Sequence, residues 1–284
     1  MVKAYYQLTK PGIIYGNLLT AVGGFLLASQ GRIDFVLFVA VLAGTAFVIG
    51  SACAINNYID RDIDAKMART KKRALVHGDI SGRSALVFAA ILGALGFGTL
   101  ALMTNHITLL VGVIGFVDYL VFYSISKRRS TLGTIIGSIA GATPVVAGYT
   151  AVGGSLDIGA LLLFLILACW QMPHFYAIAI FRQTDYKAAG LPVLPVVKGV
   201  AQAKRHIVGY ILLFLTAIGL LWSFGYAGTV YVVVMMLFGF GWLLLGMHGF
   251  TARDNTLWAR QMFKFSLVVI LAFSTTLSLN AWLL

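Results

Sequence analysis

Residues 35–64 read FVLFVAVLAGTAFVIGSACAINNYIDRDID, an apolar run that ends in three aspartates within five residues. A helix of about 20 apolar residues is long enough to cross a bilayer. Residues 35–58 therefore predict a transmembrane helix that delivers the aspartates to one membrane surface. Asn56, Asp60 and Asp64 are spaced four apart, and side chains at this spacing lie on one face of a helix. The pattern predicts a stripe of oxygen ligands at a membrane edge.

The composition of the whole chain agrees with this prediction. The chain has 284 residues, of which 60% are hydrophobic and 11% charged, against about 45–50% and about 25% in an average soluble domain. These values exclude a soluble globular protein, a disordered chain and a nucleic-acid-binding domain. They predict an all-α, polytopic membrane protein that forms one domain over residues 1–284.

Nine hydrophobic segments predict nine transmembrane helices, with ends that hydropathy places only roughly. They cover about 12–29, 35–58, 84–104, 106–125, 132–152, 158–181, 207–225, 228–249 and 264–283. The first segment has further spans after it, so we interpret it as an uncleaved first helix and not as a signal peptide.

The basic residues predict the orientation of these helices. Of the 21 lysines and arginines, 20 lie in the N-terminal segment or in every second connection between spans, all on one side of the membrane. Arg32 alone lies on the other side. Cytoplasmic connections carry the excess of Lys and Arg. We expect a cytoplasmic N-terminus and an outer C-terminus. The net charge of +12 then reflects topology in a lipid bilayer, without a nucleic-acid partner.

A weak internal repeat has an offset of 121 residues. The offset superimposes Gly12 on Gly133 and Asp64 on Asp185. We interpret the chain as two pseudo-repeated four-helix units in parallel orientation, although chance similarity in a Gly-rich chain is the alternative. The repeat predicts that the loops carrying Asp64 and Asp185 lie on the same membrane face. The units span about 10–128 and 131–249, and the final helix spans about 264–283.

The acidic stripe is suited to a metal ion. Two carboxylates this close repel each other unless a proton or a cation binds. Hard oxygen ligands suit Mg²⁺, which keeps several waters and commonly bridges to substrate phosphates. We therefore expect Asn56, Asp60 and Asp64 to hold Mg²⁺. Asp62 points off the stripe, and we expect it to pair with Arg61 or Lys66 at a solvated helix end.

A basic run follows the stripe at residues 69–73, Arg-Thr-Lys-Lys-Arg. Carboxylates for a metal with several cations nearby suit an anion such as diphosphate. Attraction to anionic lipid is the alternative for the basic run. It does not account for the acidic stripe.

Three segments carry a resemblance to a known family. They are residues 56–73, the run Trp-Gln-Met-Pro-His-Phe at 170–175, and Asp-Tyr at 185–186 with Leu-Pro-Val-Leu-Pro at 191–195. Together they resemble the UbiA-type intramembrane prenyltransferases and, within that family, the members that farnesylate haem. Residues 123–128 and 141–144 also fit. The second loop departs from a paired aspartate motif, because Phe181 stands where the repeat places the mate of Asp60.

The resemblance implies a reaction. Farnesyl diphosphate ionises while Mg²⁺ and basic residues hold the diphosphate, and a vinyl group of haem B attacks the farnesyl cation. Water captures the resulting cation and gives a hydroxyethylfarnesyl side chain. The resemblance also suggests a haem A synthase or a terminal oxidase assembly as a partner. It further implies a bacterial inner membrane as the location, with the active site at the cytoplasmic side.

The expected site residues form three groups. The catalytic residues are Asp60, Asp64 and Asp185, which also bind the metal together with Asn56. The residues expected to bind diphosphate are Arg69, Lys71, Lys72, Arg73, Lys127 and Arg128. The residues expected to bind haem are His174, His77 and His206.

His174 is expected to contact haem because it is an intramembrane histidine. It follows Pro173, where we expect a local helix break. The buried Asp118 fits no motif of the family, and we expect it to be hydrogen-bonded. Two other functions remain open: prenyl transfer to an aromatic quinone precursor, and transport by a protein with duplicated halves.

Overall fold

The computed structural model describes residues 1–283, and over this part of the chain it contains helices and no strand. Nine of the described helices are long and apolar enough to cross a membrane, which confirms the predicted number. They are α1 (Pro11–Ser29), α2 (Phe35–Ile59), α3 (Gly82–Met103), α4 (His106–Arg129), α5 (Gly133–Gly153), α6 (Ile158–Phe181), α7 (Gly199–Ser223), α8 (Thr229–His248) and α9 (Asn255–Ser278).

Two predicted spans have wrong bounds. The structure begins α7 at Gly199 instead of residue 207, and it places α9 at Asn255–Ser278 instead of 264–283. The first turns of both helices carry basic residues, so a hydropathy window excludes them. The helical backbone nevertheless continues past the apolar core. Arg205 and Arg260 are exposed and keep their charges in water, whereas the buried Lys204 donates to the Gly249 carbonyl oxygen and to the side chain of Asn255.

Aspartate caps begin three of the spans. The carboxylates of Asp34, Asp157 and Asp254 accept hydrogen bonds from backbone N–H groups in the first turns of α2, α6 and α9. Each cap satisfies donors that a helix start leaves unpaired. These three acids therefore have a local structural role.

The connections α2–α3, α4–α5, α6–α7 and α8–α9 share one end of the bundle, which we call the basic side. Two of them contain short helices: the first loop, residues 60–81, and the second loop, residues 182–198. The two loops meet in a small apolar cluster of Ile63, Met67, Tyr186, Ala189 and Leu191. This contact agrees with the placement that the repeat predicts, while the repeat itself stays a prediction.

Helix packing surrounds a central space. α1 packs against α5 and α9, α2 against α3, and α6 against α5, α7 and α9. The largest buried apolar cluster is formed mainly by α5 to α9. Helix α4 packs closely against α5 and only loosely against its other neighbours. This arrangement leaves room between α1, α2, α4 and α5.

The crossing of α1 and α5 depends on two glycines. A Cβ at Gly24 would collide with the carbonyl oxygen of Val145, and one at Gly148 would collide with that of Ala21. The two backbones thus touch directly, as small residues permit in membrane helix pairs. By contrast, Gly16 has open space at its Cβ position.

We expect Gly24→Ala to lower the stability of the protein by about 1–3 kcal/mol, the usual cost of overpacking. The matched control is Gly98→Ala, because a Cβ at Gly98 meets nothing within 4 Å. Thermal unfolding in detergent measures both variants. Equal melting temperatures for Gly24→Ala and the parent chain would contradict the close crossing.

Candidate active site

A cavity of about 460 Å³ lies inside the bundle and reaches its basic side. Helices α1, α2, α4, α5 and α6 line most of it, and the second loop covers its basic end. A large, mostly apolar pocket with a few polar groups is typical of a small-molecule site. Six lining residues have a charged side chain or a polar aromatic one: Tyr119, Tyr123, Lys127, Trp170, His174 and Tyr186.

The acidic stripe has the predicted helical geometry. The N–H of Asp60 donates to the carbonyl oxygen of Asn56 at 2.9 Å, and the N–H of Asp64 donates to that of Asp60 at 2.8 Å. The three residues therefore lie on successive turns. Each is buried, with exposed fractions of 2% for Asn56, 8% for Asp60 and 3% for Asp64. Carboxylates buried this deeply need cationic partners.

Basic side chains supply those partners. Asp60 Oδ2 accepts from Lys127 Nζ at 2.5 Å, and Asp64 Oδ2 accepts from Arg73 Nη1 at 2.6 Å. Arg73 also donates to the side chain of Asn57. Arg128 Nη2 also lies 3.4 Å from Asp60 Oδ1, so three of the predicted diphosphate cations contact the acidic stripe directly. Lys127 also lines the cavity, so it lies between the stripe and the apolar chamber.

Lys10 contacts the acidic stripe, and this site residue was not predicted from the sequence. Its Nζ donates to Asn56 Oδ1 at 2.7 Å and lies 3.4 Å from the Tyr119 hydroxyl. The backbone of Lys10 is left-handed, with φ of 53°, a conformation rarely adopted by residues other than glycine. Burial lowers the pKa of Lys10 to about 8. The only sequence signal was a lysine next to Pro11 at the edge of the first span.

Asp62 pairs with a cation other than the expected one. Arg128 donates to both carboxylate oxygens of Asp62 at 2.8 Å, so the predicted pairing with Arg61 or Lys66 is wrong. These hydrogen bonds lower the pKa of Asp62 to about 2. The pair forms because α4 continues as a helix to Arg129 and brings Arg128 beside the end of α2. Arg128 does not line the cavity.

The second loop brings one aromatic residue into the site. Tyr186 lines the cavity, and the guanidinium of Arg69 lies 5.8 Å from the centre of its ring. Burial raises the pKa of Tyr186. Asp185 precedes it in the helix Gln183–Ala188 and is half-buried. Asp185 makes no ion pair with any residue of the described part, 1–283.

The remaining predicted cations lie on the surface of the first loop. Lys71 and Lys72 are exposed, as is Arg69. None of the three lines the cavity. These three side chains could bind diphosphate only if the first loop moves toward the cavity or the diphosphate extends out of the cavity toward the loop.

The structure separates the three predicted haem histidines. His174 lines the cavity. His77 is exposed and pairs with Asp79 at 2.9 Å, and His206 packs edge-on against Tyr176, outside the cavity lining. The expected helix break at Pro173 is wrong, because α6 continues from Ile158 to Phe181. Membrane helices tolerate proline when neighbouring groups compensate for the lost hydrogen bond.

An irregular segment of α4 shapes one wall of the cavity. Residues Asp118–Tyr123 form a short π-helix, a rare conformation that is frequent at functional sites. Tyr119 and Tyr123 stack with 5.5 Å between ring centres, and both line the cavity. Asp118 accepts a hydrogen bond from the N–H of Ala140 at 3.1 Å, as expected for a structural acid.

The acidic stripe has the donor chemistry for a magnesium ion. Asn56, Asp60 and Asp64 present amide and carboxylate oxygens, the ligands that Mg²⁺ prefers. In the described residues, no three His, Cys, Asp or Glu side chains converge closely enough to enclose a metal. An ion held by these oxygens would complete its coordination with waters or with a substrate phosphate, as Mg²⁺ commonly does.

Comparison with known proteins agrees with this fold. The chain belongs to the UbiA prenyltransferase family, whose sequence profile matches residues 17–268. The protein named protoheme IX farnesyltransferase of Yersinia pseudotuberculosis is 50% identical to this chain over 281 residues, which cover 99% of this chain and 95% of the relative.

Solved structures share the fold. A structure described as digeranylgeranylglyceryl phosphate synthase has a TM-score of 0.82 and 20% identity, with 100% of this chain and 99% of that chain covered. A UbiA homologue from Archaeoglobus fulgidus bound to GPP and Mg²⁺ has a TM-score of 0.72 and 20% identity, with coverage of 97% and 99%. At such identities these neighbours support the fold alone.

Proposed function

We propose that this chain transfers the farnesyl group of farnesyl diphosphate to a vinyl group of haem B. The observation that carries the proposal is the cavity itself. It is an apolar chamber lined by Lys127 at its basic end, and Lys127 pairs with the buried carboxylate of Asp60. The stripe residues themselves lie behind Lys127, outside the lining. The similarity to protoheme IX farnesyltransferase over nearly the whole chain supports the choice of acceptor.

The proposed reaction balances as follows. The bond between farnesyl C1 and the diphosphate oxygen breaks, and diphosphate leaves with the electron pair. The terminal vinyl carbon of haem B bonds to C1, and water adds to the other vinyl carbon with loss of a proton. The apolar lining of the cavity keeps water away from the farnesyl cation until the vinyl group has attacked.

The residues at the basic end have distinct parts in this proposal. Asn56, Asp60 and Asp64 would hold Mg²⁺ together with Asp185, and the ion supplies positive charge to the leaving diphosphate. Lys127 and Arg73 neutralise the carboxylates before substrate binds and lie within reach of an anion placed there. The stack of Tyr119 and Tyr123 forms an apolar wall beside the acidic stripe.

The same proposal assigns a location and partners. The excess of basic residues on one side favours a cytoplasmic N-terminus and an active site facing the cytoplasm of a bacterial inner membrane. A haem A synthase or a terminal oxidase assembly would consume the product. Co-purification of either with the chain from native membranes tests this association.

The charge of Lys127 is expected to matter for diphosphate binding. Lys127→Met should lower kcat/KM for farnesyl diphosphate about 100-fold, equivalent to about 2.7 kcal/mol, because a positive charge is lost where the cavity meets the stripe. Steady-state kinetics measure the change. The matched control is Arg129→Met, an exposed basic residue at the end of the same helix. Equal effects for both variants would contradict a specific role for Lys127.

The choice of acceptor is tested with membranes that contain the chain. They are supplied with Mg²⁺, labelled farnesyl diphosphate and equal amounts of haem B and a hydroxybenzoate, an aromatic quinone precursor. We expect the label in haem. Label in the hydroxybenzoate would favour the aromatic prenyltransferase, and movement of label across the membrane without transfer would favour the transporter.

A further inference from the structure

A histidine held in one tautomer projects from α6 into the cavity. His174 Nδ1 lies 2.7 Å from the hydroxyl oxygen of Ser266 on α9. The Ser266 hydroxyl also donates to the carbonyl oxygen of Phe263 at 2.6 Å. A serine hydroxyl carries a single proton, and that proton is committed to Phe263. Ser266 must therefore accept a hydrogen bond from His174, which places the proton of the imidazole on Nδ1.

The second ring nitrogen is left free. A neutral imidazole protonated on Nδ1 has its lone pair on Nε2. His174 Nε2 has no hydrogen-bond partner within residues 1–283. This atom is also not fully enclosed by the surrounding protein atoms. Because His174 lines the cavity, this lone pair is accessible to a ligand there.

Aromatic neighbours fix the orientation of the ring. Trp170, one turn earlier on α6, stacks on the imidazole with 4.9 Å between ring centres, and Phe263 lies at the same distance. The indole N–H of Trp170 donates to the carbonyl oxygen of Ser266 at 3.0 Å. Ser266 thus receives one hydrogen bond from each of the two α6 side chains. The imidazole is positioned before any ligand arrives.

We propose that His174 Nε2 ligates the iron of haem B and thereby sets the position of the porphyrin in the cavity. A histidine ligand commonly donates its other N–H to an oxygen acceptor, which fixes the tautomer and the ring orientation. Ser266 provides that acceptor here. His174 does not take part in the transfer step, so it is a positioning residue. This inference rests on the proposed function, because it takes haem B as the acceptor.

The first test compares haem B with iron-free protoporphyrin IX, which has the same vinyl groups and no iron. The purified chain should bind haem B at least tenfold more tightly, and in His174→Ala this preference should fall to nearly one. The haem bound to the parent chain should show the absorption spectrum of a histidine ligand. The variant should lose this spectrum, and added imidazole should restore it. The control is His248→Ala, an exposed histidine at the end of α8.

A second variant tests the hydrogen bond. Ser266→Ala removes the acceptor of the Nδ1 proton and should weaken haem binding about tenfold, as loss of such a partner commonly does. An unchanged spectrum in His174→Ala would overturn the inference. So would equal binding of haem B and protoporphyrin IX by the parent chain. If the parent chain farnesylates haem B in those cases, the proposed function stands. If it forms no farnesylated haem, the proposed function fails.

Discussion

Replacement of Asp64 by alanine is expected to lower kcat at least about 1,000-fold, which corresponds to about 4 kcal/mol of transition-state stabilisation. Asp64 is 3% exposed and is the last residue of the acidic stripe. Its loss removes a proposed metal ligand and leaves Arg73 without its carboxylate. Arg73 is itself one-third exposed, so water can solvate it and the fold should survive. Turnover at increasing Mg²⁺ concentrations measures the effect.

The control for Asp64 is a neighbour off the stripe. Asp62→Ala removes an acid two residues away that pairs with Arg128 at the surface, and we expect a much smaller fall in kcat. Detergent extraction and thermal unfolding of both variants separate misfolding from loss of activity. Near-normal turnover in a folded Asp64→Ala protein would contradict a metal site on the stripe.

Asp185→Asn is expected to lower turnover as much as Asp60→Ala does. The substitution removes a charge at almost unchanged size, so a loss would reflect electrostatics more than packing. Asp185 makes no ion pair in the described part of the chain, and its loop contacts the first loop through the cluster around Met67 and Leu191. We therefore expect this carboxylate to help hold Mg²⁺ or to orient a cation on the leaving group.

A geometric experiment accompanies the Asp185 variant. Cysteines at positions 64 and 185, in a chain whose Cys53 and Cys169 are replaced by alanine, should be bridged by a short crosslinker. Thr184→Ala, an exposed neighbour of Asp185, serves as the activity control. Full activity in Asp185→Asn together with no crosslinking would mean that the 121-residue offset is a coincidence and that the first loop acts alone.

Features that depend on the spacing of residues along one helix could be predicted from the sequence. Apolar runs predicted nine spans, and the four-residue spacing predicted the common face of Asn56, Asp60 and Asp64. Both follow from local periodicity, which a linear sequence records. The intramembrane position of His174 selected it as a haem contact, and the structure places this residue at the cavity.

The features that the sequence did not predict depend on contacts between distant residues. Lys10 meets Asn56 across 46 positions, and Arg128 meets Asp62 across 66. Hydropathy cannot predict such pairs, because it averages over neighbours in the chain. The π-helix that begins at Asp118 has no marker in composition. His77 and His206 were chosen because they lie in or beside the predicted cytoplasmic loops, and that position does not tell whether a side chain reaches the cavity.

Transfer of farnesyl to haem by the purified chain is the most direct test of the account. The protein is placed in lipid nanodiscs with haem B, farnesyl diphosphate and Mg²⁺ in water enriched in ¹⁸O, and the haem is analysed by mass spectrometry. We predict a haem that has gained one farnesyl group and one hydroxyl group carrying ¹⁸O. Unchanged haem, with the farnesyl group recovered only as farnesol or on another acceptor, would contradict it.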